Sequence, residues 1–486
     1  MTSRVTRKAL ALAAACALAG CGDDDFAPAS DLANADLAGD LSGADQSAAP
    51  SDLAPPSLAA KVRANPAMVV GAFVDVTTTA GSIVVQWGPT GLYGQTTPAI
   101  PVPASGTVSV PIFGLEPSAT SHFRVLALGA APAASGDLPL STGPLPANFP
   151  TWTIATDDGT ADGYVLLSFV SSASAVIIDR RGHLMWYYAP AGSNGVIDFQ
   201  QQANGDRTVY VIGTPPRYDQ LDRTGRVLRA WSDPFAPLDA DGHDFLLLPN
   251  SHGLLLGRAV NPYDTSAVID GGTAAQPLID TTVDEINPDG GSAFHWSSFG
   301  QIGPDETTPD IDLRAADADA QHVNALALAL DGNILISMRH TDTVYKIDRS
   351  TGAILWRLGG ARSDFTFVDD PLNGFSHQHF ARQLPSGDLL LLDNGNLHSP
   401  PVSRAVEYRL DEQAMTARLV WQARRAPAVF TQCCGSAERQ ANGNTLVDWA
   451  ATAGGAIVDE FDPFAAVHWE LTSPILIYRA LRIPSL

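Results

Sequence analysis

Asp348-Arg349-Ser350-Thr351-Gly352-Ala353-Ile354-Leu355-Trp356 reads as a polar turn followed by a short apolar strand that ends in tryptophan. Asp and Ser close such turns with side-chain hydrogen bonds, and glycine supplies the backbone freedom the reversal needs. The pattern recurs from Asp179 to Trp186 through Gly182, from Asp222 to Trp231 through Gly225, and from Asn287 to Trp296 through Gly290. Asp411 to Trp421 and Asp462 to Trp469 complete the set. These tryptophans fall at intervals of roughly 45 to 65 residues, the period of propeller blades carrying loop insertions. Apolar strands broken by glycine turns accompany them, at Gly253, Gly332, Gly387 and Gly443. Helical periodicity is scarce beyond the N-terminus. The pattern predicts an all-β fold, with a six-bladed β-propeller over residues 151–486 and four strands per blade.

Toward the N-terminus, a Pro-rich stretch over residues 143–150 reads as a domain linker. Residues 61–145 read as a small β-sandwich, with β-rich runs at Val69-Val70-Gly71-Ala72-Phe73-Val74-Asp75-Val76 and Ser82-Ile83-Val84-Val85-Gln86-Trp87. Leu115 to Val125 resembles the E–F corner of a fibronectin type III domain, with Ser121 where that corner carries its tyrosine. Residues 21–60 repeat Asp-Leu-Ala among Ser, Gly and Pro, and read as a disordered tether. The first 20 residues combine a basic head (Arg4, Arg7, Lys8) with a short apolar run, the pattern of an export signal. Leu18-Ala19-Gly20-Cys21 looks like a lipobox, which implies lipidation of Cys21 and anchoring of an exported chain to a membrane through lipid. The periplasmic face or the outer membrane is the expected location, and Gly22 rather than Asp after the cysteine disfavours inner-membrane retention.

The net charge of −23 argues against nucleic acid and anionic lipid surfaces as partners. A small anionic substrate would need a local basic pocket. A homodimer is compatible with the sequence and not specified by it. Cys433 and Cys434 are adjacent. In an oxidising compartment they are expected either to form a strained vicinal disulfide or to remain two buried small residues, and they make a poor zinc site. With no basic residue immediately beside them, a structural rather than redox-active role is expected.

In a propeller, the innermost strands line a channel, so equivalent positions converge however far apart they are in sequence. His243 lies ten residues before Gly253, His322 ten before Gly332, and His379 eight before Gly387. Three consecutive blades therefore place a histidine near the start of the inner strand, and Ser436 stands nearby in the next. One such histidine is more often a hydrogen-bonded core residue than a catalyst. Three could hold a metal. Arg339, on the strand after His322, favours an anion site instead, because its planar fork suits sulfate or phosphate oxygens and repels a cation. No metal or other cofactor is expected.

Asp241-Gly242-His243-Asp244-Phe245-Leu246-Leu247-Leu248-Pro249, His322-Val323-Asn324, Ile336-Ser337-Met338-Arg339, Phe375-Ser376-His377-Gln378-His379 and Asp393-Asn394-Gly395 resemble, in order, the bacterial aryl sulfotransferases. Ala441-Asn442-Gly443-Asn444-Thr445-Leu446-Val447 resembles their closing blade. The resemblance implies a six-bladed propeller that moves a sulfuryl group from a phenolic sulfate ester to a phenolic acceptor, without a nucleotide donor. It implies a sulfated histidine at His379, with His243, His322 and Arg339 around it. His377 is a rival, since residues two apart on a strand share a face. The adjacent cysteines and the Asp-rich tether lie outside the family's pattern. The Asp-x-x-x-Gly-x-x-x-Trp repeat also resembles the docking units of pyrroloquinoline-quinone dehydrogenases, but six tryptophan repeats rather than eight oppose that reading. A non-catalytic surface-binding propeller is the remaining alternative, opposed by the registered histidines and Arg339.

Overall fold

Six sheets of four or five strands, antiparallel apart from the parallel additions of Ala318–Asp319 and Thr366–Val368, follow one another from Thr153 to Ile483. The structure is a computed structural model that describes residues 55–233, 238, 240–316 and 318–486. The expected signal sequence, Cys21 and nearly all of the expected tether lie outside the described residues. The first described strand, Leu58–Ala64, begins inside the stretch expected as tether, because Leu58, Ala60 and Val62 pack on a core. Among the described residues the only helical segments are two three-residue 3-10 turns, and no helix is long and apolar enough to cross a membrane.

The N-terminal part contains a three-stranded and a six-stranded sheet over a shared core of Ala72, Val74, Val76, Ile83, Val85, Val110, Ile112, Leu115, Phe123 and Val125. The alternation of buried and half-buried residues along Thr120–Leu128 is that of a strand with one fully covered face. This part and the six sheets belong to one compact unit. Met68 and Val70 pack into the core of the first of the six sheets, and Asn65 Nδ2 donates to Thr224 O at 2.9 Å.

In the six sheets, the first strands are Ile477–Ile483, Gly195–Gln201, Ala240–Leu247, Val323–Leu328, His379–Gln383 and Ser436–Arg439. They contact one another in cyclic order, and the last returns to the first. Both ends of the region cross into the neighbouring sheet. Ile477–Ile483 pairs with Tyr164–Phe169, and Thr153–Asp157 pairs with Val467–Ser473.

All six repeat tryptophans lie on outer strands, and several dock on the next sheet's turn. Trp296 Nε1 donates to Gly352 O at 2.9 Å, Trp421 Nε1 to Pro463 O at 3.1 Å, and Trp469 Nε1 to Arg180 O at 2.7 Å. Gly352 has φ +73°, and a Cβ there would lie 3.2 Å from Trp296 Cδ1, so the glycine serves both the turn and the docking. Guanidinium groups from the following sheet cover three of the rings, Arg207 over Trp186 at 4.6 Å, Arg439 over Trp421 at 4.6 Å and Arg482 over Trp469 at 5.4 Å. The repeated motif is therefore an inter-sheet contact as well as a strand end.

Arg479 joins the first strands at the centre. Its Nη1 is ion-paired with Asp198 and lies 3.5 Å from Asp244 Oδ1, while Nη2 donates to His243 O at 2.9 Å. Arg382 Nη2 donates to Asp244 Oδ2 at 2.6 Å. These groups come from four sheets, and Arg479, Asp198 and Asp244 are almost wholly removed from solvent. Arg479→Met would leave Asp198 and Asp244 short of their buried counter-charge, a loss of about 3–5 kcal/mol. Urea unfolding of the two proteins at pH 7 measures it, and a loss below about 1 kcal/mol would mean that the centre does not depend on this cation.

Candidate functional site

Backbone irregularities on the first strands assemble the site. Ladder register slips between Asp241 and Phe245, between Val323 and Ala325, and between His379 and Arg382. Such bulges turn side chains out of the regular alternation. His322 and His377 have φ of +49° and +54°, conformations that non-glycine residues hold only when surrounding contacts enforce them. His243 sits within its strand, His322 just before its own, and His379 is the first residue of His379–Gln383. Ser436 likewise begins Ser436–Arg439. Arg339 lies just past its strand, which ends at Met338, and opens a 3-10 turn, with its N–H donating to His322 O at 2.9 Å.

The rings form a chain. Centroids are 4.9 Å apart for His243 and His322, 4.7 Å for His322 and His340, and 6.1 Å for His340 and His377. His243 Nδ1 donates to Asp241 Oδ1 at 2.5 Å, and His322 Nδ1 to Asp319 Oδ2 at 2.8 Å. Burial opposes charge on His243, but Asp241 outweighs it and raises its pKa. His340 Nδ1 faces Asp319 O at 2.6 Å, and burial with neighbouring His322 lowers its pKa to about 4. Ligating atoms of Asp319, His322 and His340 all lie within 4.8 Å of one another, close enough for a shared ion. The hydrogen bonds from both rings to Asp319 already account for that spacing.

His379 differs from these. Its Nδ1 lies 2.7 Å from Asn394 Oδ1 and 3.1 Å from His377 O, two acceptors, so Nδ1 carries the proton. The Asn394 orientation is itself fixed, because its Nδ2 donates to Thr431 O at 3.0 Å and Cys434 O at 3.2 Å. Nε2 therefore holds a lone pair, which accepts the Cys434 N–H at 3.1 Å. Burial, reinforced by the positive charge of Arg339, pushes the His379 pKa well below the ordinary imidazole value. The rival His377 is fully buried, with Nε2 held by Asp310 at 3.1 Å and its backbone N–H donating to Asp342 Oδ1 at 2.6 Å, while its Nδ1 has no hydrogen-bond partner among the described residues. Three-dimensional context thus separates two histidines that share a strand face on paper.

Arg339 reaches the same loop from the other side, with Nη2 donating to Gln432 O at 3.1 Å. Its buried Nε has no hydrogen-bond partner among the described residues. The Tyr478 hydroxyl is also buried and unpartnered among them, with its ring 5.8 Å from His243. The sulfurs of Cys433 and Cys434 lie 2.9 Å apart, beyond the ~2.05 Å of a disulfide bond. The expectation that no basic group influences them needs correction. Arg339 and His243, from other sheets, both act on Cys433.

His243, His322, Arg339 and His379 are thus brought into one basic, donor-rich cluster in an acidic protein. Sequence reasoning missed His340, Asn394 and Tyr478. Asn394 stands in a motif that was noticed without a role, His340 follows Arg339 directly, and nothing local marks Tyr478.

Residues 151–467 match the model of the arylsulfotransferase (ASST) family. No curated protein sequence matches the chain. Similar solved structures include a protein of unknown function from Bacteroides caccae, at 14% identity and TM-score 0.43, covering 66% of this chain and 98% of that one. Another is virginiamycin B lyase from Staphylococcus aureus, at 9% identity and TM-score 0.36, covering 74% and 93%. The Swd1 β-propeller domain from Myceliophteria thermophila has 10% identity and TM-score 0.36, covering 69% and 90%.

The Asn394 contact predicts a specific response. Asn394→Asp places a negative charge on Nδ1–H and moves the His379 pKa upward, toward the ordinary imidazole value. Asn394→Leu releases the tautomer. Titration of the imidazole resonances by NMR reads both, and an unmoved His379 in Asn394→Asp would show that this contact does not govern its protonation.

Proposed function

Because the chain belongs to the arylsulfotransferase (ASST) family, we propose that residues 151–486 are a six-bladed propeller, preceded by a fibronectin-III-like sandwich, that transfers sulfuryl groups between phenols through His379. The observation that carries this reading is the neutral His379 with its lone pair on Nε2, beside Arg339, His243 and His322. Sulfuryl transfer spreads negative charge over three non-bridging oxygens, so it needs cations and donors around a nucleophile that is itself uncharged. The six sheets in cyclic contact and the family match support the architecture. We also infer that the chain is exported and lipid-anchored through Cys21.

In the first half-reaction, His379 Nε2 attacks the sulfur of an aryl sulfate and the sulfur–oxygen bond to the ring breaks. Phenolate departs, and Arg339 and cationic His243 hold the sulfuryl oxygens. The unpartnered Tyr478 hydroxyl is a further donor. Nδ1 keeps its proton, hydrogen-bonded to Asn394, so the sulfated ring is an imidazolium and leaves readily. In the second, an acceptor phenol gives its proton to His322, whose Nδ1–H is held by Asp319, and its oxygen takes the sulfuryl group. His379 Nε2 is restored. Two half-reactions through one enzyme intermediate require ping-pong kinetics.

Incubation with 4-nitrophenyl sulfate and no acceptor, followed by peptide mass spectrometry, should find a sulfuryl adduct on His379. An adduct on His377, or sequential kinetics with no adduct, would sink the scheme. His379→Ala should abolish transfer. Arg339→Lys should lose about 100-fold in kcat/KM, because a point charge does not reproduce the fork. The pH profile has a definite sign. The lowered pKa of His379 keeps the nucleophile neutral as pH falls through 6.5, so the acid limb lies below that value. The raised pKa of His243 keeps its proton as pH rises through 6.5, so the alkaline limb lies above it. In kcat/KM for the donor, which reports the first half-reaction alone, an acid limb at or above pH 6.5 would contradict the assignment.

A further inference from the structure

The peptide bond that joins Cys433 to Cys434 supplies the N–H that rests on His379 Nε2 at 3.1 Å. It is also the peptide bond that a disulfide between these two residues would enclose in an eight-membered ring. The sulfurs already lie 2.9 Å apart, and both residues keep partial access to solvent. Their surroundings are asymmetric. The hydrogen bond from Cys434, with Arg339 and His243 nearby, lowers the Cys433 pKa to about 7, while sharing that bond and burial hold the proton on Cys434. Such a pair has one thiol ready to attack and one ready to resolve.

The loop is tied to the site at further points. Asn394 Nδ2 donates to Thr431 O and Cys434 O, Arg339 Nη2 donates to Gln432 O, and Thr431 Oγ1 donates to Cys433 O at 3.1 Å. Cys434 has φ +65°. Consecutive Cα atoms are about 3.8 Å apart across a trans peptide, whereas ordinary disulfides span about 4.4–6.8 Å. A bond between neighbours is therefore strained and readily reduced, which suits a reversible device better than a structural staple.

We propose that Cys433 and Cys434 form a thiol–disulfide exchange site that caps the His379 imidazole when reduced and uncaps it when oxidised. The partner is a small disulfide. Cys433 thiolate attacks one of its sulfurs, breaking the sulfur–sulfur bond and releasing one thiolate. Cys434 sulfur then attacks Cys433 sulfur, its proton leaves with the second departing thiol, and the ring closes. Two electrons pass to the small disulfide, which becomes two thiols. Ring closure twists the enclosed peptide and lifts its N–H from Nε2, exposing the lone pair that must attack sulfur. The effect on transfer rests on the reading of His379 as nucleophile.

The full chain, equilibrated with glutathione disulfide and then with dithiothreitol, tests this through three readouts. Alkylation and peptide mass spectrometry report the two thiols, diethyl pyrocarbonate modification reports the exposure of His379, and 4-nitrophenol release in the presence of an acceptor phenol reports transfer. Oxidation should remove both alkylatable thiols without a retained glutathione adduct. It should raise His379 modification at least fivefold and raise transfer in parallel, with reversal by dithiothreitol. Cys433→Ser should lose the response of His379 to oxidant. The proposal is overturned if both thiols remain alkylatable, or if the bond forms while His379 reactivity stays unchanged. A redox-dependent His379 with no transfer in either state supports the exchange site and counts against the sulfotransferase reading alone.

Discussion

A buried guanidinium stands at the centre of this molecule. Arg479, on the last strand, faces Asp198 and Asp244 and donates to His243 O, while Arg382 completes the charge balance on Asp244. Unpaired, any of these charges would cost several kcal/mol away from water. Together they require the first strands of four sheets to meet at one place. The last strand delivers Arg479 there while paired with Tyr164–Phe169, so the strand that balances the centre also returns the end of the chain to the first sheet.

The candidate site stands directly on that base. Arg479 holds the carbonyl of His243, and Asp244, next in sequence, accepts the N–H of Leu326 at 2.9 Å from the neighbouring sheet. A rigid ionic floor lets the residues above it keep conformations that would otherwise relax, including the left-handed His322 and His377. Its positive balance comes from Arg339 and from a histidine paired with carboxylate. Chemistry is divided by environment. Carboxylate neighbours favour charge on His243, while burial and the positive charge of Arg339 keep His379 neutral. One residue type therefore serves as cation in one place and as nucleophile in another, in the way paired titratable groups are separated in acid–base sites.

Much of this organisation was legible in the one-dimensional pattern. The Asp–Gly–Trp repeat identified the outer strands because it encodes a local object, a tight turn and a strand whose large ring needs cover, and each copy carries the same physics. Registered histidines near strand starts followed from counting residues back to turn glycines, since strands of similar length bring similar offsets to similar heights. The Asp241–His243 and Asp319–His322 contacts are also short-range, and spacing alone could have suggested them.

What the pattern could not contain is whatever depends on groups from different sheets. His377 and His379 were indistinguishable by alternation, and became distinct only when Asp310 and Asp342 closed on one and Asn394 fixed the tautomer of the other. The cysteines looked free of basic neighbours because Arg339 and His243 lie far away along the chain. Tyr478 had no local mark at all. Secondary structure is written in neighbouring residues, so turns, strands and their repeat can be read in order. Protonation and reactivity depend on burial and on charges a few ångströms away, and folding sets those distances by joining residues as remote as His379 and Cys434.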